Sequence, residues 1–598
     1  MAGGGAPVFL GVERSFRGKR WRARLVDERL GLTLAQRLDV PEIIGRVLAA
    51  RGVGVEDAAG YLDPTLRRHL PDPSHLIDMD AAVPRLVRAV MAGEKIAVFG
   101  DYDVDGATSA ALLKRFFAAA GTDLAVYIPD RLREGYGPNE AALIKLQARG
   151  AKVVITVDCG MTAHEPLAAA SEAGLDVIVV DHHVAEPGLP TAVAVINPNR
   201  LDEQTPHRQL AAVGVAYLLA IAVNRGLREA GWYQAKGGAR DEPDMLQWLD
   251  LVALGTVCDM VPLTGVNRAL VAQGLKVMAR RANPGLAALA DVARLDKRPA
   301  AWHLGFVLGP RINAGGRVGE ADLGARLLAT GDEAEARAFA ARLDAYNAER
   351  KKIEAAVFDD ALAQAESDEG GALVFACARG WHPGVIGIVA SRLTERFNRP
   401  ACAVALDDDV GRGSGRSVRG VDLGSSVIAA RQAGLLINGG GHPMAAGFTV
   451  AAEKLGELRA FLDARVAAQM EAGEVGPTLS LDGALRLEAA TLELVESIRR
   501  LEPFGAGNAE PRFAFPSIRV AKADVVGENH VRCFLAGGGQ AGGGRLKAIA
   551  FRSVGTELGR ALLASSGIAL HIAGHLRRDD WMGNEGVQLL IDDAAPAH

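Results

Sequence analysis

Short apolar runs alternate with longer Ala/Leu-rich stretches in the part of the chain that begins at Lys95. The runs occupy residues 96–100, 124–128, 153–157, 177–180 and 192–196, and the stretches between them are long enough for crossover helices. Continuous apolar strands that alternate with helices are typical of a parallel sheet covered on both faces. The pattern therefore predicts an α/β domain built on a parallel sheet.

Other patterns predict further domains on both sides of this sheet. Residues 332–367 contain no Gly or Pro, which predicts one long helix that connects two lobes. A smaller α/β pattern follows, and beyond about residue 475 short alternating segments predict an antiparallel barrel or sandwich. The predicted organisation is an N-terminal extension (1–80), a catalytic α/β domain (81–331), a connecting helix (332–368), a smaller α/β domain (369–474) and a C-terminal β-barrel (475–598).

Length and composition agree with several globular domains. The chain has 598 residues, of which 49% are hydrophobic and 23% charged, and this length is too great for one hydrophobic core. The longest apolar stretch, 210–223, is shorter than a membrane span, and the N-terminus has no secretory pattern. The five cysteines are widely spaced with no C-x-x-C pair, which indicates a reducing cytoplasm rather than a disulfide framework or a structural zinc site.

The net charge is −5, so nucleic-acid binding would have to rely on local basic patches. One is the run from Arg14 to Arg24, which taken alone is more typical of a solvated surface. Another comprises Arg412, Arg416 and Arg419 in a Gly/Ser-rich stretch without an acidic residue. These patches leave binding to a polyanion open.

Acidic residues follow the predicted strands at their carboxyl ends. The first strand is followed by Asp101, Asp103 and Asp105, strand 153–157 by Asp158, and strand 177–180 by Asp181, His182 and His183; a helical segment ends at Asp259. Ligands of open parallel sheets bind beyond the carboxyl ends of the strands. We therefore expect these side chains to form one cluster.

Crowded carboxylates repel one another and need cations. Oxygen ligands with one or two histidines suit Mn²⁺ or Mg²⁺, and two such ions about 3.5–4 Å apart can activate water and clamp a phosphodiester. The alternative is that each Asp caps the helix after its strand. That explanation suffices for any single Asp, but it accounts poorly for all of them at successive strand ends.

Four motifs resemble those of the DHH phosphoesterase family: VFGDYDVDGATSA (98–110), VVITVDCG (153–160), VVDHH (179–183) and GTVCDMVPL (255–263). The resemblance implies that Asp103 and Asp105 bind metal, that Asp158 bridges two ions, and that His182 and Asp259 complete the ligand shells. It also implies that His183 lies near the scissile phosphate as a proton donor or charge stabiliser. Asp101 is expected to support catalysis from behind the ligands.

The second lobe contains two motifs that resemble substrate-binding elements. INGGGHPMAAGF (437–448) is similar to the substrate motif of the DHHA1 domain that accompanies DHH domains, which implicates Gly440, Gly441 and His442. We expect the glycine N–H groups to form an anion nest, although His442 alone could be a hydrogen-bonded turn residue. GRGSGRSVRG (411–420) is similar to an element of RecJ-like exonucleases, and this implicates Ser414 and Arg416 in holding a 5′ phosphate.

Two further segments of the first lobe join this predicted phosphate site. The segment PDRLREGYG (129–137) contributes Arg131, and GPRINAGGRVGEA (309–321), which is also similar to RecJ-like enzymes, contributes Asn313 and Arg317 along the phosphate track. The segment LEPFGAGNAEPRF (501–513) resembles the start of their oligonucleotide-binding barrel. Barrels of this kind bind single strands by aromatic stacking, but a barrel core also needs apolar side chains, so no stacking role is assigned to any of Phe504, Phe513, Phe534, Phe551 and Trp581.

The resemblance covers nearly the whole chain and implies a single-stranded-DNA-specific 5′-to-3′ exonuclease with two Mn²⁺ or Mg²⁺ ions, acting in DNA recombination and repair. It further implies single-stranded DNA, single-strand-binding protein and a helicase as partners of a cytoplasmic monomer. Some relatives continue into another C-terminal domain, whereas this sequence stops soon after the barrel, which puts partner contacts in doubt. Two alternatives are a phosphodiesterase for short RNA or cyclic dinucleotides, whose members are shorter and lack the barrel, and a non-catalytic single-strand-binding replication scaffold, which would have lost metal ligands.

Overall fold

The computed structural model describes residues 8–25, 27–131, 133–234, 241–368, 370–472, 476–537, 545–565, 567–579 and 586–597. The chain divides into two compact units. One unit combines Met1–Arg68 with Gly476–His598, and the other is His69–Val475. The predicted N-terminal extension, 1–80, is therefore shared between them.

The strands are numbered in chain order. They are β1 (Arg20–Ala23), β2 (Lys95–Gly100), β3 (Leu124–Tyr127), β4 (Ala151–Val157), β5 (Asp176–Val180), β6 (Ala194–Ile196), β7 (Val374–Arg379), β8 (Ala401–Asp407), β9 (Val410–Arg416), β10 (Asn438–His442), β11 (Ala445–Ala451), β12 (Thr478–Leu481), β13 (Gly483–Ala484), β14 (Phe513–Val526), β15 (His530–Ala536), β16 (Arg545–Ala550), β17 (Ala569–Asp579) and β18 (Gly586–Pro596).

The α-helices are numbered in the same way. They are α1 (Glu28–Leu38), α2 (Glu42–Ala50), α3 (Ala58–Leu62), α4 (Leu66–His69), α5 (Met79–Ala92), α6 (Val104–Ala119), α7 (Glu140–Ala148), α8 (His164–Glu172), α9 (Ala212–Glu229), α10 (Leu249–Cys258), α11 (Gly265–Met278), α12 (Pro284–Val292), α13 (Ala301–His303), α14 (Gly309–Val318), α15 (Leu323–Ala329), α16 (Glu333–Ser367), α17 (Ile386–Phe397), α18 (Leu423–Gln432), α19 (Leu455–Ala472), α20 (Leu492–Arg499) and α21 (Glu557–Ala564). A π-helical turn, Leu304–Leu308, joins α13 to α14.

The predicted parallel sheet is confirmed. Its strand order is β3-β2-β4-β5-β6, and every neighbouring pair is parallel. Apolar side chains of β2, β4 and β5 form a buried core with α7 and α8. Because all strands point the same way, their carboxyl ends lie at one edge, which is where this fold class binds ligands.

The predicted long helix is also confirmed, as α16, and it leads into a second sheet of order β10-β11-β9-β8-β7. β7 and β8 are parallel, whereas the other pairs are antiparallel. One face of this sheet packs against α16 and α17 and the other against α18 and α19. The two glycine-rich segments form strands β9 and β10. β9 is paired on both sides, whereas β10, the segment predicted to form an anion nest, lies at the edge of the sheet and pairs only with β11.

The C-terminal segment forms the predicted barrel. Strands β14, β15, β16, β18 and β17 follow one another around it, and pairing of β17 with β14 closes the ring. The barrel is not wholly antiparallel as predicted, because β16 and β18 run parallel. Phe513 is fully buried in its core, whereas Phe551 is exposed; Trp581 lies outside the described residues.

The N-terminal segment packs against this barrel within the same unit. β1 pairs with β12, and the fully buried Trp21 donates a hydrogen bond from Nε1 to Asp593 at 3.2 Å. Arg51 forms a buried ion pair with Asp482 at 2.7 Å. Apolar residues of α1, α2 and α3 join the barrel core. In the described parts of the chain, no helix is both long and apolar enough to cross a membrane.

Candidate active site

The parallel sheet brings three acidic strand ends together. The backbone N–H groups of Asp101, Asp158 and Asp181 donate to carbonyl groups of Val157, Val180 and Ile196, so each residue extends its strand by one hydrogen bond. Asp158 has φ +60°, a left-handed conformation that Asp tolerates better than most residues. All three carboxylates are buried at the carboxyl edge of the sheet.

The start of α6 places two more carboxylates in this cluster. Asp103 caps the helix, because its Oδ1 accepts hydrogen bonds from the N–H groups of Asp105 and Gly106. Asp105 accepts from the N–H groups of Ala212 and Val213 at the start of α9, at 2.7 and 2.9 Å. A Cβ on Gly106 would lie 2.4 Å from the Asp101 carbonyl oxygen, so this tight strand-to-helix turn requires glycine.

His182 lies among the carboxylates. Its Nε2 is 3.3 Å from Asp158, 3.6 Å from Asp259 and 3.9 Å from Asp105. The side chains form two sets of candidate ligands, and the ligand atoms within each set lie within 4.8 Å of one another. Asp105, His182 and Asp259 form one set, and Asp101, Asp103 and Asp158 form the other. Asp158 also falls in a set with both histidines, so it lies where one carboxylate can serve both sets.

Burial and mutual repulsion oppose charge on these acids. Burial, followed by the charge of Asp103, raises the pKa of Asp105 to about 7, and burial with Asp105 and Asp103 raises the pKa of Asp259 to about 9. The pKa values of Asp101 and Asp158 are raised well above the usual value for the same two kinds of cause. Burial lowers the pKa of His182 to about 4, so its imidazole is neutral and able to bind a cation.

These residues fit a pair of divalent cations. Asp101 Oδ1, Asp259 Oδ2 and His182 Nε2 are buried and accept or donate no hydrogen bond within the described part of the chain. A buried polar atom without a partner is costly, and a carboxylate-rich set with one imidazole suits Mn²⁺ or Mg²⁺. Asp101, expected behind the ligands, instead lies among them.

His183 lies at the open edge of the cluster. Its Nδ1 donates to Asp181 Oδ1 at 2.7 Å, and its side chain is partly exposed. Burial works against the charged imidazole, but the hydrogen bond and charge of Asp181 outweigh it and raise the pKa of His183 to about 9. The imidazole is therefore a cation at neutral pH, and its second N–H donates to no atom in the part of the chain that the structure describes.

Three arginines lie next to the cluster. The guanidinium of Arg131 stacks 5.1 Å from the centroid of the Tyr102 ring, and Tyr102 stands between Asp101 and Asp103. Burial, followed by the charges of Arg131, Arg350 and Arg416, lowers the pKa of Arg317 to about 10. Burial and Arg131 likewise lower the pKa of Arg416. The arginines thus repel one another, which marks a site for an anion.

Ser414 belongs to the same site, since Arg416 Nη1 donates to its Oγ at 3.1 Å. Helix α17 starts directly against these side chains: a Cβ on Gly387 would lie 3.1 Å from both Ser414 Oγ and Arg416 Nη2. Asn313, one helical turn before Arg317, has a buried Oδ1 without a hydrogen-bond partner among the described residues. The structure therefore brings together the residues predicted to hold a phosphate.

The glycine motif of the second lobe continues this surface. Two rows of residues run across strands β9, β11 and β10. One row is Arg416, Ala445 and His442, and the other is Ser414, Gly447 and Gly440. Residues in register across neighbouring strands point to the same face. No described atom lies within 4 Å of a Cβ built on Gly440 or Gly447, whereas one on Gly441 would meet the Ala445 carbonyl oxygen at 2.4 Å. Gly440 thus leaves room for a ligand, while Gly441 is required by packing.

Four residues without a predicted role support the site. Asn197 and Asn199 donate to the backbone carbonyls of His183 and His182 at 2.8 and 2.6 Å, and Tyr136 donates from its hydroxyl to the Asp158 carbonyl at 3.0 Å. Arg350 is buried on α16 beside Arg317, with Asn347 and Glu354 as partners. The asparagines follow strand β6 at its carboxyl end, so the strand-end signal would have found them; nothing in the polar sequence of α16 distinguishes Arg350.

Three family domains match the chain: the DHH family, N-terminal domain, at residues 95–256, the DHHA1 domain at 369–468 and the RecJ OB domain at 481–593. The single-stranded-DNA-specific exonuclease RecJ of Salmonella typhimurium is 36% identical over 93% of this chain and 96% of its own length.

Two solved structures share the fold. The RecJ structure from Thermus thermophilus in complex with Mn²⁺ superposes with a TM-score of 0.80 at 29% identity and covers 95% of this chain and 78% of its own. The Mg²⁺ complex from the same organism gives a TM-score of 0.74 at 28% identity and covers 96% and 78%. From its sequence, its domains and its fold, this chain belongs to the RecJ family of DHH phosphoesterases.

Proposed function

We propose that this protein is a metal-dependent exonuclease that degrades single-stranded DNA from its 5′ end. The observation that carries the proposal is the position of Tyr102. This residue lies between two carboxylates of the cluster, Asp101 and Asp103, and its ring stacks against Arg131 of the arginine cluster. Tyr102 thus joins two sites. One is the cation site, where a phosphodiester can be hydrolysed, and the other is the anion site, which can hold a terminal phosphate.

The ligand sets divide the work at the cation site. Asp101, Asp103 and Asp158 would hold one ion, and Asp105, Asp158, His182 and Asp259 the other. Divalent cations bound in this way activate water and stabilise charge on the phosphoryl oxygens. Asp105 is anchored by two backbone N–H groups of α9, which fixes the ligand geometry before substrate arrives.

His183 supplies the protein's own contribution to the chemistry. Asp181 keeps the imidazole charged and fixes the orientation of its ring. From that position His183 stabilises the negative charge that develops on the phosphate or donates a proton to the leaving oxygen. The backbone hydrogen bonds from Asn197 and Asn199 hold both histidines in place.

The arginine cluster supports the 5′-to-3′ direction. The cation site would act on any phosphodiester that is placed across it, so the direction of digestion must come from the residues that anchor the strand end. Arg131, Arg317 and Arg416 with Ser414 offer several donors to one anion, and a terminal phosphate carries more charge and more free oxygens than a diester. The face that carries Gly440 and His442, with Gly441 between them in the strand, then accepts the adjoining nucleotide.

We assign the catalytic domain to 81–331, the connecting helix to 332–368, the DHHA1 domain to 369–474 and the oligonucleotide-binding barrel to 475–598. Beyond catalysis, we propose a cytoplasmic monomer that acts in DNA recombination and repair together with a single-strand-binding protein and a helicase. The cysteine pattern supports the reducing compartment. Membership of the RecJ family supports the monomeric state, the role in recombination and repair, and the two protein partners.

Digestion of end-labelled DNA tests the activity. Single strands labelled at either end, the matching duplex and short RNA would be incubated with Mn²⁺, with Mg²⁺ and with chelator. We expect metal-dependent loss of the 5′ label first from single-stranded DNA, with duplex and short RNA resistant. Earlier loss of the 3′ label would overturn the polarity, and preferred cleavage of short RNA would favour the alternative phosphodiesterase.

A further inference from the structure

Tyr136 lies on the loop that also carries Arg131, but its hydroxyl contacts the carboxylate cluster. The loop, 128–139, joins strand β3 to helix α7. Although the Tyr136 side chain is about half exposed, its hydroxyl donates to the backbone carbonyl of Asp158 at 3.0 Å and lies 3.4 Å from Nδ1 of His183. Its ring packs edge-on against the His183 imidazole, with the two centroids 5.9 Å apart. One side chain of this loop thus contacts both a candidate ligand and the charged imidazole.

The hydrogen bond falls where the backbone of the cluster is least favourable. Asp158 has φ +60°, in the left-handed region, and Gly160, two positions later, has φ +112°. A residue other than glycine persists in the left-handed region only where its surroundings hold it there. The N–H of Asp158 donates to the Val180 carbonyl, and its own carbonyl accepts from Tyr136. The neighbouring strand therefore fixes one side of this residue, and the Tyr136 side chain fixes the other.

The loop itself holds Tyr136 in this position. The carboxylate of Glu134 accepts from the Tyr127 hydroxyl at 2.6 Å, which closes the loop back onto strand β3. Gly135 and Gly137 flank Tyr136 with φ +85° and +81°, and glycine adopts such conformations without steric cost. The chain can therefore turn on both sides of Tyr136 while the rest of the loop stays attached to the sheet.

We propose that Tyr136 is a positioning residue that sets the affinity of the cation site by holding the backbone of Asp158. The proposal rests on the proposed exonuclease function and specifies how its metal site is maintained. Hydrogen-bond partners behind the ligands orient them, and the loss of one typically costs about 10- to 100-fold in metal affinity or activity. Asp158 falls in two of the three sets of candidate ligands among the described residues. A shift of its backbone would therefore disturb more than one set.

This role separates Tyr136 from Arg131, its neighbour on the loop. Arg131 belongs to the arginine cluster and would act on the strand, whereas Tyr136 would act on the metal through Asp158. The two roles predict different kinetic effects, because loss of a strand contact raises KM and loss of a bound metal lowers kcat.

Mn²⁺ binding by the full-length protein tests the proposal without requiring turnover. Tyr136→Phe removes the hydroxyl and retains the ring that packs against His183. The matched control is Tyr217→Phe on helix α9, because the Tyr217 hydroxyl likewise donates to a backbone carbonyl, that of Met245, which is outside the cluster. The dissociation constant for Mn²⁺ is measured without DNA from the electron paramagnetic resonance signal of the free ion. The values of kcat and KM are then measured on a 5′-phosphorylated single strand over a range of Mn²⁺ concentrations.

We expect Tyr136→Phe to weaken Mn²⁺ binding by about 10- to 100-fold, whereas the control should bind Mn²⁺ as the unmodified protein does. At limiting Mn²⁺ the kcat of Tyr136→Phe should fall, and saturating Mn²⁺ should restore most of it. KM for the strand at saturating Mn²⁺ should be unchanged, because the arginine cluster is intact.

Unchanged Mn²⁺ affinity in Tyr136→Phe would overturn the proposal. A raised KM at normal Mn²⁺ affinity would also overturn it and would assign Tyr136 to strand binding. An equal loss of Mn²⁺ affinity in Tyr217→Phe would do the same, because the effect would then follow from a general loss of stability. The exonuclease function fails in a different way: the unmodified protein would bind Mn²⁺ but cut no single strand, and the affinities of the variants could still be compared.

Discussion

Asp181 and His183 form a charged pair whose acid is fixed on every side. Asp181 Oδ1 accepts from His183 Nδ1 at 2.7 Å and from the backbone N–H groups of His182 and His183, while Oδ2 accepts from the N–H of Met161 at 3.1 Å. Although burial opposes it, the hydrogen bond with His183 holds the pKa of Asp181 below its usual value. Asp181 therefore positions and charges His183, and it falls in none of the candidate ligand sets of the described residues.

The first prediction is that Asp181→Asn shifts the basic limb of the pH–kcat profile to lower pH. In the unmodified protein the pKa of His183 is about 9, so the imidazole stays protonated up to that pH. Without the negative charge its pKa should fall toward about 6.5, and the variant should lose about tenfold or more at pH 8 but much less at pH 6.

Asp176→Asn is the control, because Asp176 is at the other end of strand β5 and pairs with Arg85. Its profile should keep its shape. If Asp181→Asn lowers kcat by the same factor at every pH, the pair does not set the protonation of His183.

The second prediction concerns Asp158, which falls in one set of candidate ligands with Asp101 and Asp103 and in another with His182 and His183. Asp158→Ala should abolish hydrolysis, a loss larger than the roughly 10- to 100-fold caused by losing an outer-shell partner. Affinity for single strands should remain within a few-fold, because basic groups dominate it. Asp250→Asn, a buried acid on α10, is the control that should retain turnover. Near-normal hydrolysis by Asp158→Ala would exclude a shared ligand.

The third prediction is that metal stabilises the protein more as the pH rises. The pKa values of Asp105 and Asp259 are raised to about 7 and about 9 in the folded chain, compared with about 3.9 when unfolded. Between about pH 3.9 and about pH 9 the folded chain therefore binds more protons than the unfolded chain. Without metal, the free energy of unfolding consequently falls as the pH rises through this window. Bound Mn²⁺ replaces those protons and removes the penalty.

Thermal unfolding in chelator and in Mn²⁺, at a series of pH values from 5 to 9, measures this effect. The increase in Tm on adding Mn²⁺ should grow with pH, and Asp259→Asn should flatten the pH dependence seen in chelator. A constant increase across the series would argue against cation binding by these raised carboxyl groups.

The sequence predicted the parts of the site that depend on strand periodicity. Asp101, Asp158 and His182 follow apolar runs, and parallel strands necessarily bring such ends to one edge. The sequence could not distinguish ligands from supports, because Asp101 and Asp181 occupy equivalent strand-end positions and differ only in whether hydrogen bonds satisfy them in three dimensions.

Long-range contacts explain the remaining differences. The glycines of β10 were predicted to form a nest because local composition favours open backbone, but pairing with β11 makes them a strand. The division of the N-terminal extension depends on Trp21 and Asp593, which are 572 residues apart. No local pattern encodes a contact between such distant residues.

The fourth prediction follows from that division. Residues 69–475 should unfold cooperatively and retain metal-dependent cleavage of short strands, because the cluster and the arginines all belong to this unit. A chain of residues 1–475 should aggregate, since it loses β12 and Asp593, the partners of β1 and Trp21. Thermal scans and light scattering distinguish the two. A stable 1–475 chain would mean that the N-terminal segment does not need the barrel.

The last prediction tests the polarity. Arg416 lies beside Arg131, Arg317 and Ser414, so its guanidinium can bind a terminal phosphate but gains less from an internal diester. Arg416→Ala should therefore reduce kcat/KM on 5′-phosphorylated strands much more than on 5′-hydroxyl strands. Loss of one hydrogen bond to a charged group costs about 1.5–3 kcal/mol, or roughly ten- to a hundred-fold.

Arg412→Ala is the matched control for this variant. Arg412 lies four positions earlier on β9, on the same face of the sheet but exposed, so its loss should affect both kinds of 5′ end equally. Arg416→Ala lowers the rate on both ends equally only if Arg416 contacts the strand backbone rather than the terminal phosphate. In that case the anchor for the 5′ end would have to be sought elsewhere, and the direction of digestion would no longer follow from the arginine cluster.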